Sequence, residues 1–227
     1  MKQTLHTLPK TFKASIGFFT WVIVSILALN DQAFSQSAAN YSVTRTTGIT
    51  YTSIAGTGTS NFNWRNTTSN QNDDNRSYPE PIGFDFWYLG VRYTTISANL
   101  NGTLDFSAST SDGNNGGTGP YGPNHGPLFS TGGQTMLALA PIYADLMTAN
   151  FGAAPIASSI IYKVSGSAPN RVLTVEWMNF DEWNSPVNSP AASFSFQVKI
   201  YETTGVIEFV YGTMNAGASG GGSYPLR

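Results

Sequence analysis

The sequence predicts an all-β protein, an antiparallel β-sandwich of jelly-roll type, carried behind a signal-peptide helix. Three observations lead there. Charged residues make up only 11% of the 227 residues, while Gly, Ser, Thr and Asn are abundant, a balance that suits short strands joined by polar turns. Apolar residues alternate over short runs, and no long window carries the 3.6-residue period of an amphipathic helix. Finally, Pro81 to Phe106 reads as a complete hairpin, because Asn101-Gly102 stands between two strand-like flanks and both residues tolerate the positive φ of a type I′ turn.

The leader is read from charge and length. Met1 to Lys13 carries Lys2, Lys10 and Lys13 without an acid, Ala14 to Leu29 is apolar and uncharged, and Ala33-Phe34-Ser35 offers small residues where a signal peptidase reads them. The expected cut lies between Ser35 and Gln36, leaving residues 36–227 as one domain. The apolar run is shorter than the ~20 residues of a membrane span, so no membrane association is expected after cleavage.

Composition then excludes several chemistries. A formal charge of -2 gives no basic face for nucleic acid. With no cysteine there is neither disulfide nor thiol catalysis, and the domain relies on a core rich in Phe, Trp and Tyr, 13% of the chain. His6 falls in the leader, so a zinc site or a Ser-His-Asp triad would depend on His125 alone, in a Gly/Pro loop.

Along the mature chain, Tyr41 to Thr46 and Ile49 to Ile54 read as two strands, rich in β-branched and aromatic residues. Gly56 to Asp74 is a polar loop or edge whose Phe62 and Trp64 fold back onto the sheet. Asp73-Asp74, flanked by Asn72 and Asn75, offers oxygen ligands to calcium but lacks the spacing of a dedicated loop, so a turn or capping role is expected and no cofactor is assigned. After the hairpin, where Thr103 to Phe106 resume alternation, Ser107 to Gly133 is too rich in Gly, Ser, Asn and Pro for a regular element, and its length makes it the candidate variable surface. Met136 to Ala140 reads as a strand, broken by Pro141 into a corner ending near Asp145, whose carboxylate must find backbone donors. Four strands follow: Ile160 to Val164, Arg171 to Phe180, Phe194 to Ile200 and Ile207 to Tyr211, the last two forming a hairpin through Thr203-Thr204-Gly205.

The ordered series IGFDFWYLGVRYTTISANLNGTLDF, LAPIYADL, IIYKV, RVLTVEWMNF and FSFQVKIYETTGVIEFVYG resembles the nidogen-type extracellular domain, and especially its divergent relatives at the start of surface proteins secreted by Bacteroidetes-type bacteria. The resemblance rests on Asn101-Gly102, on Pro141 and Asp145, on Trp177-Met178-Asn179, and on Gln197 to Tyr211. It implies an extracellular, matrix-like or adhesive module without established catalytic residues. The Gly-rich end, Gly212 to Arg227, departs from that pattern, which leaves either a sandwich lacking one edge strand or a longer protein with further domains.

Three functions follow as expectations. The first is a non-enzymatic surface module that adheres to an extracellular protein or glycan, with Asp181, Glu182, Trp183 and Asn184 as the recognition cluster in a Pro-flanked turn. The second is a carbohydrate-binding or glycoside-cleaving sandwich, in which Glu176 and Glu208 face one side of a sheet; the simpler expectation is that both are exposed strand residues balanced by Lys163 and Lys199. The third is a structural spacer. No metal site is expected.

Overall fold

A computed structural model describes residues 41–56, 58–65, 75–106, 138–142, 146–148, 158–182 and 193–215. These are all strand, turn or extended chain, with no helix among them. Ten strands form two antiparallel sheets: β1 (Ser60–Asn61), β2 (Glu80–Tyr88), β3 (Val91–Ala98), β4 (Leu104–Asp105), β5 (Ala138–Leu139), β6 (Leu146–Thr148), β7 (Ser159–Ser165), β8 (Val172–Glu182), β9 (Ser193–Tyr201) and β10 (Ile207–Asn215). One sheet runs β1-β7-β8-β9-β10, with β6 also paired to β8; the other runs β2-β3-β4-β5.

Alternation along the strands builds the core. Ile82, Phe84 and Phe86 of β2, with Ile96, Ala98 and Leu104 from β3 and β4, face Leu173, Val175 and Trp177 of β8 and Phe196, Val198 and Ile200 of β9 in one buried cluster. Trp177 stacks on Phe196 at 5.0 Å, and its Nε1 donates across the sandwich to the Asn99 carbonyl at 2.9 Å. A buried indole N–H needs such an acceptor, so this bond fixes one sheet over the other. Past Trp177 the β8–β9 register shifts, and Asn179 adopts φ 57°. That bulge inverts the alternation, so that Phe180 rather than Asn179 enters the core.

The central hairpin forms, with its turns redistributed. The two-residue type I′ turn joins β2 to β3 at Leu89-Gly90, whose φ values are 50° and 78°. Asn101-Gly102 instead belongs to a three-residue loop from β3 to β4, closed by Asn99 N–H donating to the Thr103 carbonyl at 2.9 Å, with only Gly102 in positive φ. A side chain at Gly102 would also collide with the Ile142 carbonyl oxygen, so glycine is demanded twice there.

Three further expectations are corrected. Residues 41–56 form no strand. Thr103 to Phe106 are all buried rather than alternately exposed, because the polar members lie against protein and not solvent. Glu176 is fully buried, not an exposed strand residue. The expected leader with Ser35 and Gln36, and residues Asp73, Asp74, His125, Asp145, Trp183 and Asn184, lie outside the described residues. Among those described, no helix is long and apolar enough to cross a membrane.

Candidate functional site

The buried acids Glu80, Asp105 and Glu176 are each engaged in holding the fold. On the outer face of β8, Glu176 Oε1 accepts from the Tyr51 hydroxyl at 2.5 Å, while Oε2 accepts from the Ile54 N–H at 2.7 Å and from Gln197 Nε2 at 3.3 Å. The same Gln197 amide donates to the Thr52 carbonyl at 2.8 Å. Residues 51–54 are therefore strapped to the sheet by side chains instead of a backbone ladder. Burial, reinforced by the hydrogen bond to Glu176, pushes the Tyr51 hydroxyl far above its ordinary pKa. Gly212 of β10 leaves room for the Tyr51 ring.

In the other sheet, Asp105 Oδ2 meets Arg76 Nη2 at 2.7 Å, and both side chains are buried. Asn99 Oδ1 accepts from the Asn101 N–H at 2.6 Å, and Asn101 Oδ1 accepts from the Leu146 N–H at 2.9 Å. Together with Ser97 and Thr103 these make a buried polar strip that organises the β3–β4 loop. Glu80, at the start of β2, accepts from the Asn63 N–H at 3.2 Å and from Asn63 Nδ2 at 2.5 Å, tying the chain beyond β1 to the second sheet. Asn75 spends Oδ1 on the Arg76 N–H at 2.9 Å.

Glu202 and Arg171 form a rim lock. The guanidinium donates to both carboxylate oxygens, at 2.8 and 2.5 Å, and its Nη1 donates to the Gly83 carbonyl at 2.6 Å. Those hydrogen bonds hold the Glu202 carboxyl below the usual carboxylate range and raise Arg171. Glu208 is exposed and accepts from the Tyr201 hydroxyl at 2.6 Å; burial and this bond push Tyr201 up to about 12. Glu176 and Glu208 do share the outer face, as the ladder Glu176↔Gln197↔Val210 beside Thr174↔Lys199↔Glu208 shows, but one is covered and the other open. No cluster of three potential metal ligands occurs among the described residues.

Of the recognition cluster expected from the sequence, Asp181 and Glu182 are strand residues, opposite Met147 and Leu146 in β6, rather than members of a turn. Among the described residues, an exposed aromatic face lies on β2. Trp87 is 55% exposed on the outer face of β2, opposite Arg92 of β3, and Arg92 Nη1 pairs with Asp85 Oδ2 at 2.9 Å. Val91, beside the turn, is 50% exposed. In the sequence, Asp85, two residues before Trp87 and hence on its face, is the sign that this face looks outward.

No curated protein and no solved structure matches the chain. The family model of nidogen-related (NIDO-related) domains matches residues 40–224 of the 227, and such a domain points to an extracellular module. The match spans every described strand of both sheets, and the chain belongs to the nidogen-related family.

Proposed function

We infer that this domain is a non-enzymatic extracellular recognition module, adhesive toward a protein or glycan, and that the outer face of the β2–β3 hairpin is its contact surface. The observation that carries the reading is the exposed Trp87 beside the Asp85–Arg92 pair. A large aromatic face flanked by a guanidinium and a carboxylate supplies a stacking plane with directional donors and acceptors, the composition of a binding hot spot. Turn residues next to it hold the backbone fixed, so recognition there costs little ordering. The non-enzymatic half of the reading is supported by the structural engagement of Glu176, Asp105 and Glu80.

The test is retention on arrays of glycans and extracellular matrix proteins. Trp87→Ala should abolish retention of the secreted protein while leaving its melting temperature within a few degrees. Trp183→Ala is the comparison variant. Retention lost with Trp183→Ala and kept with Trp87→Ala would move the surface to the region after β8. A glycoside hydrolysis removed by Glu176→Gln with Glu208→Gln would replace the reading with an enzymatic one.

A further inference from the structure

The exposed face of β2 has a shape and a charge balance that select among ligands. Pro81, Gly83, Asp85 and Trp87 are exposed, while Ile82, Phe84 and Phe86 between them are buried. The outer side of the strand is therefore a track of low relief, a proline, a glycine and a carboxylate, ending at one large aromatic ring. At ~3.3 Å per residue, Pro81 to Trp87 spans roughly 20 Å. Its floor is pinned from beneath. Phe86 stacks on Phe106 at 5.6 Å, and the Arg171 guanidinium lies 5.5 Å over the Phe84 ring while Nη1 holds the Gly83 carbonyl at 2.6 Å. Glu202 in turn fixes Arg171. A ligand laid on this track meets side chains on a backbone already in place, so little ordering opposes binding.

Charge narrows the choice. Arg92 stands directly across from Trp87, and its Nη1 meets Asp85 Oδ2 at 2.9 Å, with both side chains more than half exposed. The pair neutralises itself, so the patch offers no net attraction to a strongly ionic ligand. It remains rich in hydrogen-bonding capacity, since the bond between the two engages one donor and one acceptor of groups that have several. A stable protein partner covers about 800 Å² per side around an aromatic or apolar centre. Here the ring is bordered along its strand by an acid, a glycine and a proline, and across from it by a guanidinium. A sugar ring fits that set: its C–H face stacks on indole, and its neighbouring hydroxyls both donate and accept. We propose that the ligand of this surface is a neutral polysaccharide chain lying along β2, one ring stacked on Trp87 and its hydroxyls bound by Asp85 and Arg92. The inference rests on the reading of the β2–β3 face as the contact surface and names the class of ligand it takes.

Affinity electrophoresis of the full chain from a secreting host tests this, in native gels that each contain one polysaccharide. The neutral probes are hydroxyethyl cellulose, glycogen, galactomannan and xylan, and the anionic probe is polygalacturonate. Retardation by at least one neutral probe, unchanged by added salt, is the expected result. Trp87→Ala should weaken that retardation by about tenfold or more, the scale of one lost aromatic stack with its buried area. Trp87→Tyr keeps a ring and should keep most of the retardation, which separates loss of stacking from loss of folding. Arg92→Ala should weaken it less than Trp87→Ala. No retardation by any neutral probe overturns the proposal, as does retardation by polygalacturonate alone. Retention on a matrix protein that Trp87→Ala abolishes, without retardation in any gel, also overturns it but leaves the contact surface in place. Retardation by a neutral probe that Trp87→Ala leaves unchanged overturns both.

Discussion

Asp105 and Glu176 are both carboxylic side chains with essentially no solvent exposure, one in each sheet, and they are accommodated in different ways. Asp105 is matched by a cation, Arg76, buried with it. Glu176 is surrounded by neutral donors: a phenol, a backbone N–H and an amide, all but one from the arm at residues 51–54. Removing a charged group from water costs several kcal/mol unless its hydrogen-bonding capacity is met. The first arrangement meets the cost by charge, within a strip the chain cannot vacate without unfolding. The second meets it by hydrogen bonds from a segment held by side chains and not by a backbone ladder. Asp105 therefore specifies the sheet it sits in, whereas Glu176 specifies where the arm docks.

The largest effect should come from breaking the charged pair. Arg76→Met leaves Asp105 buried without its cation and should cost about 3–5 kcal/mol of unfolding free energy, while Arg76→Met with Asp105→Leu should recover most of it. Chemical denaturation of the three proteins decides this. If the double variant is as unstable as the single one, the pair is not the unit that Asp105 depends on.

Glu176 should respond less, and locally. Tyr51→Phe deletes one donor to its carboxyl and should cost about 1.5–3 kcal/mol, the range for a hydrogen bond to a charged group. The distinguishing readout is limited proteolysis: cleavage within residues 41–56 should accelerate in Tyr51→Phe well before the sheets open, and Arg76→Met should show no such selective cleavage. Equal acceleration at all sites in both variants would erase the difference between the two acids.

The same contrast marks how much was legible in the sequence. Strands β7 to β10 could be read because each alternates regularly between recognisable turns, and the sandwich class followed from them. The position of the type I′ turn could not, since Leu89 lies in a backbone region where bulky residues are uncommon, and Asn101-Gly102 offered the better local chemistry. Asn179 hid a bulge for a related reason: nothing local distinguishes a strand Asn from one in positive φ. The burial of Asp105, Asn99 and Thr103 did not show in the local pattern because it is imposed by other parts of the chain. Glu176 is the clearest case, as its donors Tyr51 and Ile54 come from more than a hundred residues upstream. The exposure of Trp87 was not legible because an apolar run does not reveal which of its members faces out.

A third acid, Glu202, gives the smallest effect and sets the scale for the other two. Its carboxyl is only partly covered, and the Arg171 guanidinium holds it below the usual carboxylate range. A carboxyl whose folded value lies below its unfolded one, ordinarily about 4.3, adds stability that is complete above the unfolded value and is lost as pH falls through the folded value. Glu202→Gln should therefore be mildly destabilising at pH 7, and the gap to wild type should narrow steadily as pH drops below about 4.3. Added salt should narrow it too, since a rim pair is screened where the buried Arg76–Asp105 pair is not. Thermal melts across pH and salt check both slopes. A gap that stays constant would mean that Glu202 acts through the shape of its hydrogen bonds to Arg171, making it a neighbour of Glu176 in kind rather than of Asp105.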